Sequence, residues 1–155
     1  MMKKPYRRWK RRMKEPLTEE LLDALLSGPS VESYLDSTPL PRCELSYYLQ
    51  DLLAEKNLEQ ATVVREAGLN VTYGYEIFTG AKKRPSRDKL LQLAFAMRLD
   101  LRETNRLLKT GQASELYCKV RRDAIILYCI DNGYSLQATD EELYRLGEKT
   151  ICQPR

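Results

Sequence analysis

The sequence predicts an all-α protein, on three observations. Apolar residues recur at three- and four-residue spacing along most of the chain, the rhythm of one buried helix face. Segments with this rhythm open on Thr, Asn, Ser or Asp and close on Gly or Pro, residues that start and stop helices. The best β-branched stretch, "VVREAGLNV", is interrupted by charge and glycine, and the other β-branched clusters fall into helical spacing. At 155 residues the chain fits one domain, with or without an appended element, and can bury an ordinary core without metals or disulfides.

Taken in order, residues 1–17 are a basic, flexible arm. Its first 14 residues, "MMKKPYRRWKRRMK", hold eight Lys and Arg and no acid, and such a run repels itself until a partner neutralises it. Residues 18–42 form a short helical segment and a linker: Thr18 caps "EELLDALL", with Glu19 and Glu20 in the first turn, "SVESYLDS" adds a second short helix, and Pro39 and Pro41 break the chain. From residue 43 the pattern is regular. Leu45, Tyr48, Leu49, Leu52 and Leu53 share the face of a helix ending near Asn57. The next starts near Glu59, turns Val63, Val64 and Ala67 inward and stops at Gly68, a residue suited to a left-handed C-terminus. Asn70 caps a third helix reaching Phe78. Ser86 caps an amphipathic fourth with Leu90, Leu93, Ala94 and Met97 inward, and Asp100 with Glu103 makes an acidic capping box for a fifth, ending at Gly111.

Residues 113–155 repeat the last unit. With a shift of 35, "RDKLLQLAFAMRLDLRETNRLL" from Arg87 falls on "RDAIILYCIDNGYSLQATDEEL" from Arg122, with Arg87/Arg122, Asp88/Asp123, Leu101/Leu136, Thr104/Thr139 and Leu108/Leu143 identical. A C-terminal helical hairpin packed on the first is expected, as in helical arrays, with Ile125, Ile126, Cys129 and Ile130 as its core stripe and a protein partner's surface as a further use.

Composition narrows the function. The formal charge of +4 hides an asymmetry, because beyond the first 14 residues the chain carries 18 basic and 22 acidic groups. Nucleic-acid phosphate is the commonest partner of such an arm, since each neutralised phosphate releases counterions. The chain has no histidine, and Cys43, Cys118, Cys129 and Cys152 are scattered, so no metal site, no cofactor and no imidazole chemistry are expected. Isolated cysteines in apolar surroundings read as reduced thiols of a cytoplasmic protein. The longest apolar run, Ala124 to Ile130, is too short for a membrane span, and with four acids in "EPLTEELLDALLSG", where a signal peptide needs an apolar stretch, no signal peptide is expected. No glycine-rich phosphate loop, nucleophile motif or carboxylate pair argues for an enzyme.

One stretch carries the specific reading. Leu58 and Gln60, Ala67 and Gly68, Ile77 and Gly80, and Pro85 and Ser86, followed by "LLQLAFAMRLDL", stand in the order and spacing of a known pattern. Through them residues 45–99 resemble the five-helix, lambda-repressor-like helix-turn-helix domain of the Cro/C1-repressor (XRE) family, placing that domain within residues 43–112. The resemblance implies a sequence-specific, double-stranded DNA-binding transcriptional regulator of bacterial or phage type, commonly a homodimer on two half-sites. Its recognition helix would present Asn70, Val71, Thr72, Tyr73 and Tyr75 to base edges. Gln60 would hold the DNA backbone, and Lys82, Lys83, Arg84 and Arg87 would approach phosphates.

The departures from the pattern are specific. Gly74 stands inside the recognition helix where the family has an apolar residue, and Val64 stands where it prefers alanine, so the larger side chain is expected to match the missing one. Glu76 brings a negative charge, and one extra residue separates Gly80 from Pro85. These changes keep open a second function, a helical adaptor for protein partners that retains the helix-turn-helix as scaffold without specific DNA binding. In the arm, Lys3, Lys4, Arg7, Arg8, Trp9, Lys10, Arg11 and Arg12 interleave cations with an aromatic, a set suited to backbone or minor-groove contact with DNA, or to RNA.

Overall fold

The computed structural model describes residues 18–38 and 44–152, which hold nine helices and no strand. The basic arm from Lys3 to Arg12, Trp9 included, the Pro39–Pro41 linker and Cys43 lie outside the described residues. The all-α class is what the structure shows. The chain divides into two compact units, Met1–Arg42 and Cys43–Arg155.

In the first unit α1 (Thr18–Ser27) and α2 (Val31–Ser37) are separated by Gly28, Pro29 and Ser30. The Ser30 side chain accepts a hydrogen bond from the Ser33 N–H and so starts α2. Two short helices cannot enclose a core, and Leu22, Leu26, Val31 and Leu35 are at least half exposed.

The second unit contains α3 (Leu45–Lys56), α4 (Gln60–Glu66), α5 (Val71–Thr79), α6 (Arg87–Ala96), α7 (Leu101–Thr110), α8 (Arg121–Asp131) and α9 (Leu136–Arg145). α3 lies against α5 and α7, α4 against α5 and α6, and α6 against α7. Between them the side chains of Leu49, Leu52, Leu90 and Leu93 are fully buried, as the spacing predicts, and Ile77, Phe78, Leu91 and Leu107 join them. The start signals act as read. Asn70 and Ser86 accept N-terminal amide protons of α5 and α6, and Asp100 with Glu103 closes the capping box of α7. Gly68, at φ +74, takes the left-handed position that turns the chain from α4 toward α5. Gln92, buried in α6, donates to the Ala67 carbonyl at 2.7 Å and pins that turn to the core.

The 35-residue repeat extends to individual hydrogen bonds. Helix α9 occupies the positions of α7 shifted by 35, and α8 those of α6 to within a residue. The Arg87 Nε donates to the Ser114 carbonyl at 2.9 Å and its Nη2 to Glu115; the Arg122 Nε donates to Lys149 at 2.9 Å and its Nη2 to Thr150. The Leu116 N–H donates to Asn105, and the Ile151 N–H to Asp140, again one repeat apart. Left-handed φ values recur likewise, at Arg98 and Gly133 and at Gln112 and Gly147.

The two hairpins are not joined as in an open array. Arg87 of the first pairs with Asp123 of the second at 2.8 Å, and Arg122 of the second pairs with Asp88 of the first at 3.0 Å. Likewise α6 touches α9 while α8 touches α7. Contacts that exchange in this way define a local two-fold axis between the hairpins, an isologous pairing inside one chain. Burial pushes the Asp123 carboxyl up, but the Arg87 hydrogen bond, the Tyr117 N–H and the Arg87 and Arg122 charges outweigh it and hold it below the ordinary carboxylate value. A carboxylate with a depressed folded pKa contributes stability above its unfolded pKa and loses it as the pH falls through the folded one. Acid unfolding is therefore expected to gain slope below about pH 3.9, and Asp123→Asn, compared by urea midpoints across that range, should flatten it.

Candidate nucleic-acid interface

The side chains proposed to read bases sit at the N-terminal end of α5. There the Asn70 Oδ1 accepts from the Thr72 N–H at 2.9 Å and the Tyr73 N–H at 3.3 Å, which fixes the first turn. Val71 is 78% exposed and Tyr75 61%, and Thr72 also faces solvent. These three, with Asn70, form an open, uncharged ridge of two hydroxyls, an amide and a branched methyl pair, a set able to meet base-edge donors, acceptors and thymine methyls.

Tyr73 differs from its neighbours. It is half-buried, and Lys82 and Lys89 lie over its ring at 5.5 and 6.0 Å from the centroid. Burial raises its phenol above the ordinary value, the Ser86 backbone opposing and the Glu76 charge adding. Tyr73 thus works as a platform that gathers two lysines beside the ridge. The Lys82 N–H also donates to the Glu76 carbonyl at 2.9 Å, so the loop after α5 is held by its backbone too. Lys82, Lys83 and Arg84 are exposed there, Glu76 is half-buried, and Gln60 is half-buried at the first position of α4.

Arg87 leaves the phosphate set. Its Nε, Nη1 and Nη2 donate four hydrogen bonds, to the Ser114 and Glu115 carbonyls and to both oxygens of Asp123, which turns the guanidinium into the hairpin clasp. Position in the loop suggested a phosphate contact; the neighbouring hairpin supplies a carboxylate that binds it first. The signal was present in the repeat, where an Arg-Asp pair recurs, but opposite charges in sequence do not reveal that they cross over. Lys89 is the residue missed: in the first turn of α6, it joins Lys82 at the Tyr73 ring.

Gly74 has a physical reason. A Cβ built there would stand 2.5 and 2.7 Å from the two Cγ atoms of Val64 and 3.2 Å from its Cβ. The expected match of Val64 to Gly74 is thus met, and α4 and α5 approach through a valine set into a glycine notch.

Elsewhere, a cleft of about 530 Å³ lies between the Ala67–Gly68 turn and α9, bordered by Glu66, Leu136, Glu141, Tyr144 and Cys152. Burial and the Asp140 carboxylate push the Cys152 thiol up to about 11, which disfavours its thiolate at neutral pH. Among the described residues no group of His, Cys, Asp and Glu is placed to hold a metal, and no helix is long and apolar enough to cross a membrane. No protein-family model, curated protein or solved structure matches this chain.

Proposed function

We propose that this chain is a sequence-specific, double-stranded DNA-binding transcriptional regulator of bacterial or phage type, not an enzyme, acting in the cytoplasm through a lambda-repressor-like helix-turn-helix formed by α3–α7. The observation that carries this reading is the N-terminal end of α5. A capped first turn holds Val71, Thr72 and Tyr75 outward, and three exposed cations follow at 82–84. Helices that read a major groove use this layout, with short side chains toward base edges and flanking positive charge toward phosphates. Tyr73 serves by placing Lys82 and Lys89, and the basic arm supplies salt-dependent affinity.

Selection of a preferred duplex from random sequence, then titration across salt, tests this. Thr72→Ala and Tyr75→Ala should each cost about 1–3 kcal/mol on the selected site and leave non-specific binding unchanged, while Lys83→Ala should weaken all sequences alike and lower the salt slope by about one. Removing residues 1–14 should flatten the slope further. Absence of duplex binding by the full chain at low salt would remove the proposal.

A second reading, a helical adaptor that keeps this architecture for a protein partner, draws support from Glu76, whose charge lies beside the ridge and would repel phosphate. Glu76→Gln separates the two: under the first reading it tightens DNA binding, and under the second it changes nothing measured with DNA.

A further inference from the structure

The two hairpins of the second unit differ in the charge carried on one helix face. In the 35-residue register, the α9 residues that border the cleft beside the Ala67–Gly68 turn, Gln137, Asp140, Glu141 and Tyr144, fall on Arg102, Asn105, Arg106 and Lys109 of α7. Three cations of the first copy thus give way to an amide, a carboxylate and a phenol in the second. Asp140 adds a charge that its structural duty does not require. Its two oxygens accept the Ile151 and Cys152 N–H groups at 2.6 and 3.0 Å, while the neutral Asn105 accepts the equivalent Leu116 N–H at 2.8 Å. Glu141 accepts only from the uncharged Gln137 amide, at 3.3 Å, and Glu66, exposed at the end of α4, brings a third carboxylate. No lysine or arginine among the described residues borders the cleft, and Ala67 and Leu136 give it apolar wall.

We propose that this cleft binds a small organic cation, an amine or amidine carried on an apolar body. Size and charge together select that class. A volume of about 530 Å³ suits a small molecule. The three carboxylates repel an anion, and among the described residues no group of His, Cys, Asp and Glu is placed to hold a metal ion. An ammonium or amidinium can pair with Asp140 or Glu141 and lie against the Tyr144 ring, while its apolar body takes the place of water on Ala67 and Leu136. Glu141 and Tyr144 stand three residues apart on α9, so one face presents carboxylate and ring together. An occupant there touches the turn that sets α4 against α5 and the terminal hairpin at once. The proposal stands apart from the DNA reading, because binding is measured without DNA.

Titration of the full chain with phenethylamine, benzamidine and phenethyl alcohol, followed by amide NMR shifts, tests this; the alcohol keeps the body of the amine without its charge. The two cations should shift Gly68, Leu136 and Glu141 and bind in about the millimolar range expected of molecules with so few atoms. The alcohol should bind at least about fivefold more weakly. Replacing the carboxylates by Glu66→Gln, Asp140→Asn and Glu141→Gln together should bring the amine-to-alcohol affinity ratio to about one and leave the alcohol's own affinity unchanged. Asn105 already fills the place of Asp140 in the first hairpin, so the fold is expected to survive. Should the triple variant lose helix content by circular dichroism, Glu66→Gln with Glu141→Gln, both on exposed residues, should still lower the ratio. No shift from either cation up to about 10 mM, equal affinity for amine and alcohol, or a preference that outlasts the carboxylates overturns the proposal.

Discussion

Arg87→Ala is expected to lower the unfolding free energy by about 3 kcal/mol, with DNA affinity changed only as far as the protein unfolds. The Asp123 side chain is only 6% exposed, and losing its partner strands a carboxylate in the interface between hairpins. Two backbone carbonyls, those of Ser114 and Glu115, lose their donors as well. Removing both charges with Arg87→Ala/Asp123→Ala should cost less than the sum of the single changes, because no unpaired charge remains. Arg122→Ala should cost less than Arg87→Ala, since Arg122 reaches one Asp88 oxygen rather than gripping both. Urea titration measures all four. A stable Arg87→Ala protein that has lost duplex binding would return Arg87 to the phosphate contacts.

The second large effect is a coupled one. Gly74→Ala adds a methyl where Val64 already stands, and the stiff branched side chain has no rotamer that clears it, so the change should cost about 1–3 kcal/mol despite alanine's better helix propensity. Val64→Ala alone leaves a gap in a buried position and should cost about 1–3 kcal/mol. Combined, the two substitutions exchange one notch for another, and alanine at 74 relieves the roughly 0.5–1 kcal/mol that glycine costs inside a helix. The double variant should therefore lie close to wild type in stability. Additive losses would mean that the α4–α5 contact is not set by this pair.

Local signals in the sequence were enough for the helices, because capping acts within four residues: Asn70, Ser86 and the Asp100–Glu103 box each start a helix where their chemistry places it. The Val64–Gly74 match was also visible, as two compensating departures from one pattern. The roles of Arg87 and Tyr73 were not. Arg87 looked like a solvent-facing cation because its partner lies 36 residues away, and only the crossing of two hairpins brings Asp123 to it. Tyr73 shares the recognition-helix stretch with Tyr75, yet helical rotation leaves one facing outward and turns the other toward Lys82 and Lys89. The hairpin repeat gave the presence of a second copy but not its symmetry, since reciprocal and sequential pairing leave the same trace in a sequence.

The reciprocal clasp also bears on how the molecule opens. Lifting α8–α9 away would break both Arg-Asp pairs at once and uncover Asp123. Partial opening of that hairpin therefore costs nearly as much as unfolding its neighbour, and the second unit should lose structure in one cooperative step. Amide protons of α8 should then exchange at the pace of those in α6, which makes the terminal hairpin a reporter on the helices beside the α5 ridge rather than a piece that frays by itself.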